Sequence, residues 1–90
     1  MLIISYDITN DKLRTKFSRY LKKYGRRLQF SVYEIENSER ILKNIMAEIR
    51  NDFEKKFTKA DSVIIFDLNH KEIHRFGYAI NEESDLVIFE

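Results

Sequence analysis

Asp7 and the basic residues that follow it are the groups in this chain best placed to do chemistry. Asp7 stands almost at the end of Leu2-Ile3-Ile4-Ser5-Tyr6-Asp7-Ile8, a β-branched run followed by the turn-like Thr9-Asn10-Asp11. Such a run reads as a strand buried on at least one face. Alternation puts Leu2, Ile4, Tyr6 and Ile8 on one face and Ile3, Ser5 and Asp7 on the other. A helix can cover the first face while Asp7 looks out of the second. From Lys12 to Arg27 there are eight basic residues and no acid, half of the 16 Lys and Arg in the chain. That imbalance suits phosphate. By contrast, the end from Glu82 holds Glu82, Glu83, Asp85 and Glu90 without a Lys or Arg, so a net charge of +1 hides two opposed regions.

The elements that must position these groups are legible from spacing. Asn10 or Asp11 can cap a helix on which Leu13, Phe17, Tyr20, Leu21 and Tyr24 recur at helical spacing, with Gly25 as its C-terminal glycine. On this helix Lys12, Lys16, Arg19 and Lys23 form one strip, and Arg14 lies on the opposite flank of the apolar face. A strip laced for solubility mixes acids with bases at i,i+4; this one does not. Arg26 to Glu36 is extended, with Leu28, Phe30 and Val32 alternating against Gln29, Ser31 and Tyr33. It forms one bent strand or two short ones meeting near Ser31 to Tyr33.

Asn37-Ser38 caps a second helix, with Ile41, Leu42, Ile45, Met46, Ile49, Phe53 and Phe57 as its stripe. Its charges are mixed, Glu39 with Lys43 and Arg50 with Glu54, so it reads as scaffold. Ser62 to Leu68 is a central strand, Asn69-His70-Lys71 a turn, Ile73 to Ile80 a further strand, and Leu86 to Phe89 a terminal one. The order predicts an α+β, ferredoxin-like β-α-β-β-α-β sandwich over residues 1–90: one domain, an antiparallel sheet with two helices on one face and an extra C-terminal strand. A chain of 90 residues buries only about 60–65% of its extended surface, so a second copy covering the bare sheet face would help it. The terminal strand could then pair with an edge of the partner sheet.

Other chemistries are excluded or weak. Without cysteine there is neither disulfide nor thiolate metal site. Apolar runs fall short of a membrane span and no signal-peptide layout opens the chain, so a soluble, cytoplasmic protein is expected. His70 and His74 are four apart, but on a turn and strand that spacing does not converge, and they read as surface residues. There is no nucleophile-base pair and no glycine-rich phosphate loop.

Tyr6-Asp7-Ile8, Leu13-Arg14 with Lys16, Leu21-Lys22-Lys23-Tyr24-Gly25 and Arg27-Leu28-Gln29-Phe30-Ser31-Val32-Tyr33-Glu34 closely resemble the CRISPR-associated protein two family. Its members are small CRISPR adaptation proteins, also described as CRISPR-associated endoribonucleases. One departure is Ile35-Glu36, where many members carry a glycine. The resemblance implies a homodimer acting in spacer acquisition, binding double-stranded DNA and bridging copies of the larger CRISPR integrase. It also implies a metal-dependent endonuclease, hydrolysing phosphodiesters of single-stranded RNA or double-stranded DNA. Asp7 matches the family's catalytic aspartate and Mg²⁺ ligand; Arg14, Lys16 and Arg27 match its basic positions, and Ser31 and Tyr33 lie beside its site. Arg19, from the basic strip, joins the expected nucleic-acid-binding set. The competing expectation is a generic ferredoxin-like nucleic-acid-binding or regulatory domain without catalysis. An RNA-recognition sheet, however, would show aromatics with glycine in its motif strands, and none is seen.

Overall fold

A computed structural model describes residues 1–36 and 39–77. The elements run β1 (Leu2–Asp7), α1 (Asp11–Leu21), β2 (Gly25–Gln29), β3 (Val32–Ile35), α2 (Glu39–Glu48), β4 (Ser62–Asp67) and β5 (Glu72–Gly77). Helix α2 continues through a π turn, Ile49–Phe53, and a 3-10 turn, Glu54–Lys56. The strands form one antiparallel sheet in the order β2-β3-β1-β4-β5. Its first four strands have the split β-α-β arrangement of a ferredoxin-like fold, with β5 added beyond β4. The expected cap at Asn37-Ser38, the end of the strand expected to reach Ile80, and the Leu86 to Phe89 strand lie outside the described residues.

Alternation in β1 holds as read. Leu2, Ile4 and Tyr6 are buried, Ile3 and Ser5 half-buried, and Asp7 exposed. The buried side joins Leu13, Phe17 and Leu21 of α1, Ile45, Ile49 and Phe53 of the second helical segment, and Tyr33, Ile35, Val63, Ile65 and Phe76 in one core. Both helices therefore cover the same face, and burial of these side chains, at roughly 1.5–3 kcal/mol each, is the main driving force. Across the opposite face, Ile3 lies between Glu34 and Phe66, Ser5 between Val32 and Ile64, and Asp7 beside Ser62.

Helix α1 starts where its chemistry dictates: Asn10, in an extended conformation, accepts the Leu13 amide at 2.9 Å. Its end differs from the expectation. The helix stops at Leu21 with Lys22 as cap, and Gly25 opens β2 instead. The reason for glycine there is crowding by the neighbouring strand, because a Cβ would stand 2.0 Å from the Glu34 carbonyl oxygen.

Residues 25–35 form two strands rather than one. The pairing register slips between Arg27 and Gln29, taking Leu28 out of the ladder, and the chain turns at Phe30-Ser31, where Ser31 has φ 67°. The bulge and turn reset the alternation. Tyr33 and Ile35 enter the core, while Leu28 and Phe30 are left 46% and 73% exposed. In the second helix, Glu54 accepts the Gly77 amide at 2.9 Å and Arg50 lies over the Phe76 ring, so these two residues tie the helix to β5.

Among the described residues two acids are buried, Asp61 and Asp67, and both brace loops. Asp61 accepts hydrogen bonds from the Thr9 amide (2.8 Å), the Thr9 hydroxyl (3.0 Å) and the Thr58 amide (2.8 Å), tying the start of α1 to the approach to β4. Burial pushes its pKa up, but these donors outweigh that and hold it below the usual carboxylate range. Asp61→Ala strands the donors and should cost about 2–4 kcal/mol at neutral pH, read from urea denaturation. Because the folded-state pKa is depressed, this contribution is present above pH ~4 and is lost as pH falls through the folded value. The gap between wild type and variant therefore narrows in acid; an equal gap at all pH values would refute the carboxylate's role. Asp67 likewise accepts the amides of Asn69 and His70 and meets His70 Nδ1 at 2.8 Å, organising the β4–β5 turn. Contrary to the surface reading, His74 is only 24% exposed.

Candidate nucleic-acid interface

The C-terminal end of β1 and the first turns of α1 meet the β2–β3 hairpin. Asn10 fixes where α1 begins, and the helix then presents Arg14, Ser18 and Lys22 at i, i+4 and i+8, with Thr15 and Arg19 beside them. Arg27 of β2 faces this row, because its partner across the ladder is the core residue Tyr33. Between helix and hairpin lies a cleft of about 270 Å³, lined by Tyr6, Thr15, Ser18, Phe30 and four cations: Arg14, Arg19, Lys22 and Arg27. No carboxylate is among its lining residues.

The cleft has a rigid floor. Tyr6 packs edge-on against Phe17 at 5.1 Å between ring centres and stacks on Tyr33 at 6.3 Å. The Tyr33 hydroxyl is bonded to that of Ser18, so the buried ring is joined to the helix wall. The Tyr6 amide donates to the Ser31 carbonyl at 3.1 Å, which pins the hairpin turn to β1. Arg14 donates to the Ile8 carbonyl at 3.0 Å and is also paired with Asp11. These contacts hold its guanidinium at the cleft wall with part of its charge answered by exposed Asp11, and the cations gathered around one hollow favour an anion that relieves their mutual repulsion.

Arg14, Arg19 and Arg27, named from the sequence, are thus brought together. Lys16 is placed elsewhere: its Nζ lies 3.3 Å from Asp52 Oδ2 and over the Phe53 ring, while Lys56 binds the other Asp52 oxygen at 3.0 Å. The Lys56 hydrogen bond, then Lys16, holds the Asp52 pKa down against the opposing effect of burial. Asp7 is exposed on the sheet face opposite Tyr6, so within one chain it does not share the cleft. Ser31 supports the hairpin through its carbonyl, and Tyr33 supports the floor from the core. Tyr6, Thr15, Ser18, Lys22 and Phe30 were missed by sequence reasoning. The i, i+4, i+8 row Arg14–Ser18–Lys22 carries the signal for Ser18 and Lys22, but the strip Lys12, Lys16, Arg19 and Lys23 is richer in charge and masks it.

Among the described residues no group of three or more His, Cys, Asp or Glu side chains is arranged to hold a metal ion. Asp7 offers one exposed carboxylate. Mg²⁺ accepts such a sparse set when a second carboxylate, a substrate phosphate and waters complete its octahedron. Asp7 fits that ion only as part of a shared site. No helix among the described residues is long and apolar enough to cross a membrane.

Residues 1–76 match the family described as CRISPR associated protein Cas2. Among curated relatives, the chain is 40% identical over 47 residues to "CRISPR-associated endoribonuclease Cas2 4" of Rhodospirillum rubrum, covering 52% of this chain and 38% of the relative. It is 51% identical over 35 residues to "CRISPR-associated endoribonuclease Cas2 2" of Methanospirillum hungatei, covering 39% of each. It is 40% identical over 47 residues to "CRISPR-associated endonuclease Cas2 2" of Thermus thermophilus, covering 52% of each. The chain therefore spans about half or less of the length of these relatives. No solved structure matches it.

Proposed function

Since the chain belongs to the CRISPR associated protein Cas2 family, we propose that it serves in CRISPR adaptation as a homodimer that holds nucleic acid by its phosphates and bridges copies of the CRISPR integrase in the cytoplasm. The observation that carries this reading is the cleft of four cations with no carboxylate in its lining. Arg27 can grip phosphate oxygens in pairs, Lys22 acts as a point charge, and Arg14 contributes less freely because its guanidinium already meets the Ile8 carbonyl and Asp11. Backbone contacts of this kind give binding without sequence readout. Lys16 adds less, because Asp52 already answers its charge. The sheet face opposite the helices, which carries half-buried Ile3, Ile64 and Phe66 among the described residues, is the face we assign to the second copy.

A second reading, metal-dependent endonuclease activity on single-stranded RNA or double-stranded DNA, rests on Asp7. Its exposure on that face would let it and its symmetry mate approach one Mg²⁺ across a two-fold axis. Bound there, the ion would polarise the phosphate and supply hydroxide. Asp7 and its mate would hold the ion, and the cleft cations would hold the strand.

The test is the affinity for two duplexes of unrelated sequence across a salt series, with sedimentation equilibrium on the same samples. The expected result is a dimer with equal affinities that fall steeply and linearly with log salt. Affinity that ignores salt, or a strong preference for one sequence, would overturn the proposal.

A further inference from the structure

Phe30 stands out on the cleft rim. Its ring is 73% exposed, at a cost of roughly 1.5–3 kcal/mol against burying it, yet it lines the same hollow as Arg14, Arg19, Lys22 and Arg27. Nor does it sit on a loose loop. The hairpin turn places Ser31 in the left-handed region, a conformation that costs a non-glycine residue roughly 1–2 kcal/mol, and the Ser31 carbonyl is pinned by the Tyr6 amide. The Leu28 bulge just before it takes the strand out of register. A solvent-facing aromatic ring is therefore held by the fold beside a cationic hollow.

A ring next to phosphate-binding cations is the combination that proteins use to hold single strands: charges track the backbone and the aromatic face takes a base. The interior bases of a duplex have both faces covered by their neighbours, so such a ring is of no use to them. We infer that the cleft is a subsite for one unpaired nucleotide of a single-stranded nucleic acid, its phosphate among the four cations and its base stacked on Phe30. This rests on the phosphate-binding reading of the cleft, and it adds a selectivity for unpaired strand that cations alone do not supply.

The test uses fluorescence anisotropy with an oligo-dT and an oligo-U single strand, a blunt duplex, and an abasic deoxyribose-phosphate oligomer as the backbone-only probe. Phe30→Ala should weaken both single strands by about 5- to 140-fold, the range that loss of one stacked base gives. Binding of the interior of the duplex and of the abasic oligomer should stay unchanged, as should the salt slope, since no charge is removed. Phe30→Trp should restore single-strand affinity, and its emission should be quenched by the base-bearing strands and not by the abasic one. Phe30 is exposed, so the fold is expected to persist; thermal melting checks this. If Phe30→Ala weakens duplex and single strand equally, leaves single strands unaffected, or dissociates a dimer, the stacking subsite is wrong while phosphate binding stands. If the wild type binds none of the probes, the phosphate reading itself fails.

Discussion

Alanine at Arg14, Arg19, Lys22 and Arg27 together is expected to flatten the salt dependence of duplex binding by up to about four charges per chain. Each phosphate contact contributes a slope of about 0.9 in log affinity against log salt, so the four carry a slope of at most roughly 3.6 per chain, the Arg14 share being reduced by its pairing with Asp11. Between 50 and 200 mM salt, wild type should lose up to about two decades of affinity for each chain whose cleft is engaged that the variant does not have to lose. At low salt the variant should already be the far weaker binder. The side chains are partly or fully exposed and none belongs to the core, so the melting temperature should change little. A variant that keeps the wild-type slope would show that the backbone lies on another surface.

The second large effect concerns Asp7. Asp7→Asn should reduce Mg²⁺-dependent cleavage to background while leaving duplex affinity and dimerisation intact. The amide nearly preserves the shape and removes the negative charge that a hard cation needs. Because Asp7 is exposed, with its backbone in the β1–β4 ladder opposite Ser62, the substitution should not disturb the fold. The two variants then separate the two readings: the cleft set abolishes binding and therefore everything after it, and Asp7→Asn abolishes hydrolysis alone. Were Asp7→Asn to cleave at the wild-type rate, Asp7 would have no part in metal binding, although bridging would survive.

Much of this architecture is legible in the residues. The alternation of β1 placed Leu2, Ile4 and Tyr6 under the helices and Asp7 outside, because a strand with one buried face has little freedom of register. Asn10 marked the start of α1, because few other residue types satisfy the first turn as well. The cleft was less legible. It depends on the Leu28 bulge and the Ser31 turn, which shift the phase of a sequence that alternates smoothly on paper and so move Tyr33 inward and Phe30 outward. Bulges carry no reliable local signature when glycine is absent. Lys16 and Lys22 look equivalent in a count of charges. Only the position of Asp52, 36 residues away along the chain, distinguishes them by pairing with the former.

That distinction supplies the most direct measurement: the salt slope of duplex binding for Lys22→Ala beside that for Lys16→Ala. If the cleft is the phosphate site, Lys22→Ala lowers the slope by about one for each chain engaged and Lys16→Ala leaves it near the wild-type value. A lowered slope for Lys16→Ala with none for Lys22→Ala would contradict the account, and would move the nucleic acid to the other side of α1.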